Sequence, residues 1–302
     1  MEEFIVDTIR DMDGDASAVF VFLGLIVIII ISVIGFFLLS WSWIIAIIGV
    51  LIGFIVWRHI SIKNKHPRPS TGRRWISRRE RSVRVPDTTR LPAAYFLYIL
   101  GSGGHTTEMI DTIKHQFQAQ RNIHRRYLVN KGDSDSLRRV VDLELLIKDT
   151  YASSDLAGTL DTFSVPRARH IHQPFYTAPL SCLSTAIHAI NALTCEPLVR
   201  PTTLHGAQYK YPHVVVTNGP ATGFIVCLVA HLLKVFYVVP QTRLKMVYVE
   251  SWARSKTLSL TGRLFLWTGI ADMFCVQHEE LARRVRGSVY VGQVAARIAL
   301  KV

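Results

Sequence analysis

Three clusters of residues in this 302-residue chain have the types and spacing to do chemistry. The first is Gly101-Ser102-Gly103-Gly104-His105, running into Thr106-Thr107-Glu108-Met109. Glycines let a turn tighten and let backbone come close to a ligand. A helix starting directly after the turn adds bare N–H groups and a partial positive charge, so the combination suits a phosphate or pyrophosphate. A glycine-rich structural turn would use the same residues without a ligand. His105 has three open roles: base, donor to a phosphate, or cap of the turn. Glu108 either favours the helix dipole or bonds a sugar or a loop. The loop matches neither Gly-x-Gly-x-x-Gly nor Gly-x-x-x-x-Gly-Lys-Ser/Thr, which disfavours a nicotinamide enzyme or a P-loop ATPase.

The second cluster is Asn218-Gly219-Pro220-Ala221-Thr222-Gly223, a tight turn. The third is Glu250-Ser251-Trp252-Ala253-Arg254, in which Glu250 ends an apolar run and is not explained as a helix cap. Arg167, Arg169, Arg243 and Arg254 are candidate phosphate clamps or solvated surface charges. The four cysteines, Cys182, Cys195, Cys227 and Cys275, form no Cys-x-x-Cys pair. They read as buried free thiols in a reducing compartment, with no zinc spacing.

The elements around these clusters alternate. Ala94 to Leu100 is a continuous apolar run, as a strand covered on both faces requires. Helix is expected over His105–Gln120, strand over Ile123–Asn130, and helix over Ser134–Lys148 with Asp133 or Ser134 as N-cap. Thr162–Ile171 reads as an ill-defined strand and loop, and Leu180–Leu193 as helix. Strand His213–Thr217, helix Phe224–Leu233 and strand Val235–Val239 follow. Strand Met246–Val249, helix Gly262–Trp267, strand Met273–Val276 and helix His278–Arg284 complete the pattern. Such alternation predicts an α/β fold with a parallel, doubly wound sheet. Both glycine turns then fall at carboxyl ends of strands, where ligands bind in open sheets.

What precedes residue 93 has a different character. No charge occurs between Asp15 and Arg58, and Val19–Trp57 is apolar, about twice the 20 residues of one bilayer crossing. A hairpin turning at Ser40-Trp41-Ser42-Trp43, or one span followed by an interfacial helix, both fit. An acidic leader and the absence of a small-residue cleavage site argue against a signal peptide. Eleven basic residues against two acidic ones lie between Arg58 and Arg90. They place the large domain on the cytosolic side and serve either as lipid-headgroup contacts or as a solvated linker. The expected organisation is leader 1–18, transmembrane segment or segments 19–57, basic juxtamembrane linker 58–92 and globular domain 93–302. The net charge of +13 calls for an anionic partner. Nucleic acid is disfavoured, because no nucleic-acid motif occurs and the basic run follows a membrane segment.

Taken together these blocks resemble a family. Gly101-Ser102-Gly103-Gly104-His105-Thr106-Thr107-Glu108-Met109, Asn218–Gly223, Glu250–Arg254 with Lys256-Thr257-Leu258-Ser259-Leu260-Thr261-Gly262, and Tyr290-Val291-Gly292 look like the signatures of the asparagine-linked glycosylation 14 family. The resemblance implies a single Rossmann-like domain, half of a GT-B glycosyltransferase, anchored at the cytosolic face of the endoplasmic reticulum and contiguous nuclear envelope. It implies a non-autonomous subunit that holds dolichyl-diphosphate-N-acetylglucosamine, with a soluble donor-binding subunit supplying the UDP-N-acetylglucosamine site. The second N-acetylglucosamine of the N-glycan precursor would be added there. Further implied partners are membrane lipid and the enzyme of the preceding dolichol step, and no cofactor or metal is expected. A pure membrane receptor for a fully catalytic partner is the alternative. By the same resemblance Gly101, Ser102, Gly103, Gly104 and Thr106 would bind the acceptor diphosphate. His105 and Glu108 would be catalytic, and Asn218, Gly219, Pro220, Thr222, Gly223, Glu250 and Ser251 would line the cleft. Val289–Val302 is expected to dock on the partner or to finish the domain itself.

Overall fold

The computed structural model describes residues 27–35, 41–65, 93–117, 119, 122–152, 156–169, 173–174, 176–197 and 209–292. The leader 1–18, most of the linker and the tail after 292 lie outside them. The domain is a seven-stranded, fully parallel sheet: β1 Ala94–Ile99, β2 Ile123–Asn130, β3 Thr159–Val165, β4 Val214–Thr217, β5 Lys245–Val249, β6 Met273–Val276 and β7 Val289–Tyr290. The spatial order is β3-β2-β1-β4-β5-β6-β7, with every neighbouring pair parallel. Residues 27–35 are helical, and the helices after them are α1 Trp41–Lys65, α2 Gly104–Gln116, α3 Ser134–Thr150, α4 Ala178–Thr194, α5 Ala221–Val235, α6 Leu260–Thr268 and α7 Glu279–Arg284.

Apolar side chains alternate to both faces and bury against separate helix layers. Met109, Ile110 and Ile113 of α2 pack with Val140, Leu143 and Ile147 of α3 over Leu100, Tyr127 and Val129. On the other face Leu97, Leu128, Val215 and Met246 meet Ala189 of α4, Val226 and Ala230 of α5 and Phe265 of α6. This is the doubly wound arrangement the alternating pattern predicts. Asp133 caps α3, its carboxylate accepting from Ser136 N, as expected.

Three stretches differ from expectation. Residues 235–239 are not a strand: Val235 ends α5, and the place beside β4 is taken by Lys245–Val249. An apolar run says that a segment avoids water, not which apolar surroundings it meets. The ill-defined region is an orderly edge strand, β3, whose alternating burial pattern, as in Asp161 in and Thr162 half out, hides it from a search for continuous apolar runs. The apolar helix also runs eight residues past Trp57, to Lys65.

Helix α1 contains a stretch, Trp43–Asn64, long and apolar enough to cross a membrane, with mean hydropathy 2.1. Its C-terminal turns pack on the domain. Arg58 is buried and donates to the carbonyls of Val235 and Lys234, at 3.3 and 3.2 Å, so it caps the end of α5 from another helix. His59 Nδ1 lies 3.0 Å from His231 Nε2. Burial pushes the His231 imidazole down to about 4, helped by Lys234 and His59 and opposed by Asp272. The folded form therefore keeps His231 neutral, while the unfolded chain takes up its proton near 6.5. Stability from this group is complete above pH 6.5 and is lost as pH falls from there towards 4. At pH 5 the loss is about 2 kcal/mol. Unfolding measured at pH 7 and pH 5 should show it, and His231→Gln should remove that share. His213, also lowered to about 4 by burial and then Arg243, and His124, lowered by burial, remain in both proteins and contribute to the residual slope.

Candidate functional site

The strand order switches between β1 and β4, which are neighbours in the sheet but lie far apart in the chain. Such a switch point, outside the carboxyl ends of the strands, is where open α/β sheets hold ligands. The loops after β1, β4 and β5 converge there.

The loop after β1 is shaped by two glycines for two different reasons. Gly103 has φ 58° and is the N-cap of α2, with no side chain capping the helix. Gly101 has no room for a side chain, since a Cβ would lie 2.6 Å from that of His105. A Cβ on Gly219 would sit 3.4 Å from the Gly101 Cα, so the β1 and β4 loops touch backbone to backbone. Gly103 and Gly104 are exposed and Ser102 is half-buried. The result is an open helix N-terminus that can receive an anion.

Thr106 corrects one expectation. It is fully buried, its hydroxyl donating to the Gly101 carbonyl at 3.0 Å and lying 2.8 Å from Ser136 Oγ. It holds the loop from behind and is not free for a diphosphate.

Glu108 falls beyond the first turn of α2, so the helix-dipole role does not apply. Its Oε1 accepts from Ser251 Oγ at 3.0 Å and from the Trp252 N–H at 3.1 Å. Its Oε2 accepts from Asn218 Nδ2 at 3.4 Å and lies 3.9 Å from His105 Nδ1. Asn218 Nδ2 also donates to the His105 carbonyl at 2.7 Å. One carboxylate thus joins α2 to the loops that follow β4 and β5. The His105 Nδ1 atom is buried without a hydrogen-bond partner, while the side chain as a whole is 36% exposed. The rest of the ring is what solvent reaches.

Glu250 also departs from expectation. It is buried, with Oε1 accepting from Ser251 N and Oε2 from Ser259 N and Oγ, each at 3.1 Å. A Cβ on Gly262 would lie 2.1 Å from that Oε2, which explains a glycine in α6. Glu250 therefore fastens the 251–259 loop to α6 and does not line the cleft. Thr222 is likewise committed inside the protein, donating to Asn130 Oδ1 at 3.1 Å and accepting from Ala168 N at 3.2 Å. Gly223 packs against Thr217, where a Cβ would meet Oγ1 at 2.2 Å. Asn218, Gly219, Pro220 and Ser251 gather around the start of α2 and its loop, and Thr222, Gly223 and Glu250 form the layer beneath.

Two further side chains, to which the sequence assigns no role of their own, stand beside these loops. Trp252 is 45% exposed and stacks obliquely near His278, their rings 5.9 Å apart. His278 Nε2–H donates to the Trp252 carbonyl at 2.6 Å. His278 follows β6, so a search for polar residues just past every strand end would have found it. Of the candidate clamps, Arg167 pairs with Asp133 at 3.4 Å and Arg169 donates to the Gln173 carbonyl, while Arg254 is exposed on the β5 loop. Among the described residues no group of three or more His, Cys, Asp or Glu could hold a metal ion. The buried Cys227 and Cys275 thiols are pushed up to about 12 by burial, which keeps them unreactive.

A family described as "Oligosaccharide biosynthesis protein Alg14 like" matches residues 96–294. The Schizosaccharomyces pombe UDP-N-acetylglucosamine transferase subunit alg14 is 30% identical over 202 residues, 67% of this chain and 83% of that protein. The Yarrowia lipolytica subunit of the same name is 35% identical over 65% of this chain and 79% of its own length. The Homo sapiens one is 28% identical over 70% and 88%. Among solved structures, Acinetobacter baumannii MurG aligns at 15% identity with a TM-score of 0.37, over 62% of this chain and 41% of that one.

Proposed function

This chain belongs to the Alg14-like family of oligosaccharide biosynthesis proteins, and from that premise we propose that it is the acceptor-binding subunit of a UDP-N-acetylglucosamine transferase. Its relatives in fungi and mammals are named as subunits of a UDP-N-acetylglucosamine transferase. The acceptor is dolichyl-diphosphate-N-acetylglucosamine, held at the cytosolic face of the endoplasmic reticulum by α1. A soluble subunit brings UDP-N-acetylglucosamine, and the two halves form a GT-B cleft. The chain does not turn over alone.

The observation that carries this reading is the uncapped N-terminus of α2, framed by three loops and with His105 at its rim. Exposed backbone N–H groups of the 102–104 turn and the helix dipole suit the acceptor diphosphate. His105 then takes the proton of the acceptor hydroxyl as that oxygen attacks the anomeric carbon of the donor and UDP leaves. Glu108 orients the ring through the otherwise unpartnered Nδ1, a 3.9 Å approach that tightens when the cleft fills.

A transfer assay tests this. The full-length chain in detergent or liposomes, with UDP-N-acetylglucosamine and a lipid-diphosphate-N-acetylglucosamine, should give no disaccharide product. Adding the soluble donor subunit should give product, and turnover by the chain alone overturns the proposal.

A further inference from the structure

We propose that the loop Phe236-Tyr237-Val238 enters the bilayer beside α1, as a second and separate membrane contact of the domain. The proposal rests on reading α1 as membrane-embedded, and it concerns a part of the chain remote from the glycine loops. Helix α5 starts at the carboxyl edge of the sheet and ends at the opposite edge, so this loop lies about 20 Å from the candidate site, the length of a 15-residue helix.

The loop is an apolar segment turned outward. Phe236 is 46% exposed, Tyr237 63% and Val238 51%. It is nevertheless well fixed. The Phe236 N–H donates to the Leu232 carbonyl and the Val238 N–H to the Leu233 carbonyl, both at 2.9 Å, and Tyr211 Oη donates to the Val238 carbonyl. Tyr237 has φ 61°, a conformation that L side chains avoid unless the surroundings impose it. A built loop that shows three apolar side chains to solvent calls for an apolar medium.

Its neighbours identify that medium as lipid. The Tyr237 ring lies over the Arg58 guanidinium at 3.8 Å, and the Trp57 ring is 6.0 Å from the same group. Arg58 is the first charge after the apolar stretch of α1, so it marks the headgroup level. Tyr237 and Trp57 share that level, which is where membrane proteins place such rings. The Phe236 ring is 6.1 Å from Phe54, one helical turn before Arg58 and therefore on the bilayer side, about 6 Å deeper. From Trp41 to Trp57 the helix is about 24 Å long, so a bilayer that takes up α1 also takes up the side chain beside Phe54. Lys210, whose Nζ lies 5.5 Å from the Tyr211 ring, puts a positive charge beside the loop for anionic headgroups.

The test places an environment-sensitive fluorophore at Val238→Cys in the full-length chain, with Cys182→Ser and Cys195→Ser, in phosphatidylcholine–phosphatidylserine liposomes. Matching labels go at Val50→Cys in α1 and at the exposed Arg286→Cys, in the turn between α7 and the edge strand β7. The 238 label should show blue-shifted emission, quenching by nitroxide lipids and loss of iodide quenching, as the 50 label does and the 286 label does not. A 238 label that behaves like the 286 label, while the 50 label is in lipid, overturns the loop proposal and leaves the anchor intact. If the 50 label is also aqueous, the anchor reading and this proposal fall together. Protection of the 238 label only on adding the soluble subunit would assign the loop to a protein partner and overturn it as well.

Discussion

Glu108→Gln should lower the turnover of the assembled transferase by about 10²–10³-fold, with little change in the KM for the lipid acceptor. The substitution keeps the size of the side chain and an oxygen that can still accept from Ser251 Oγ and the Trp252 N–H. It replaces the other oxygen by an NH2 group facing Asn218 Nδ2, where two donors then meet. It also removes the negative charge that faces His105 Nδ1. The acceptor diphosphate is held by backbone in the proposed mechanism, so binding is largely kept while the base loses its orientation. A purely structural Glu108 would predict a different result: lower stability, and losses in KM and kcat together. The decisive measurement is a double-mutant cycle. In a His105→Ala background, Glu108→Gln should cost almost nothing, because residues acting as a unit are not additive. Full additivity of the two losses would show that Glu108 acts independently of His105.

The glycine loop was legible because its chemistry is local. A turn with Gly101 and Gly103 next to a strand end needs those residues wherever the rest of the chain goes. The Asn218–Gly223 turn was legible as a turn for the same reason. The roles of Thr106, Glu250 and Thr222 were not, because each is decided by a partner outside its own motif: Ser136, Ser259 and Asn130 respectively. A polar residue beside a loop reads the same whether it faces the cleft or supports it. Residues 235–239 show the complementary gap. Their hydrophobicity was visible, but the sheet had a better candidate in Lys245–Val249, and the apolar residues belong to a surface next to α1.

The hardest feature to foresee is β2, in which Arg125 and Arg126 are both buried in the middle of a central strand. Adjacent strand residues point to opposite faces, so each arginine needs its own partner. Arg125 forms a two-pronged pair with Glu144 of α3, both contacts at 2.7 Å, and Tyr127 Oη donates to the same carboxylate. On the other face Arg126 binds Asp161 of β3 at 2.8 and 2.6 Å and donates to the carbonyls of Ala192 and Cys195 at the end of α4. Burial alone would raise the Asp161 carboxyl, but the two bonds from Arg126, with the His124 ring 3.3 Å away, outweigh it and bring it down to about 2. Because the folded value is depressed, this group stabilises the fold above the ordinary carboxylate range and loses that contribution as pH falls from about 4 towards 2.

Arg126→Met should therefore destabilise the domain by about 3–5 kcal/mol, since it leaves a buried carboxylate without its main partner. For a domain of this size that is a fall of roughly 10–15 °C in Tm, measurable by circular dichroism of the full chain in detergent. Adding Asp161→Leu should recover most of the loss, because a buried ion pair replaced as a whole by apolar side chains costs little. What remains measures the cap that Arg126 places on α4. A double variant as unstable as the single one would mean that the charge pair matters less than the cap. The pair also bears on the site. Strand β2 ends at Asn130, whose Oδ1 receives the Thr222 hydroxyl at the start of α5, directly under the Asn218–Pro220 turn. If Arg126 serves only to hold β2 against β3 and α4, the double variant should fold with that turn in place and transfer at the wild-type rate. A slow but stable double variant would show that β2 also sets the height of the cleft floor.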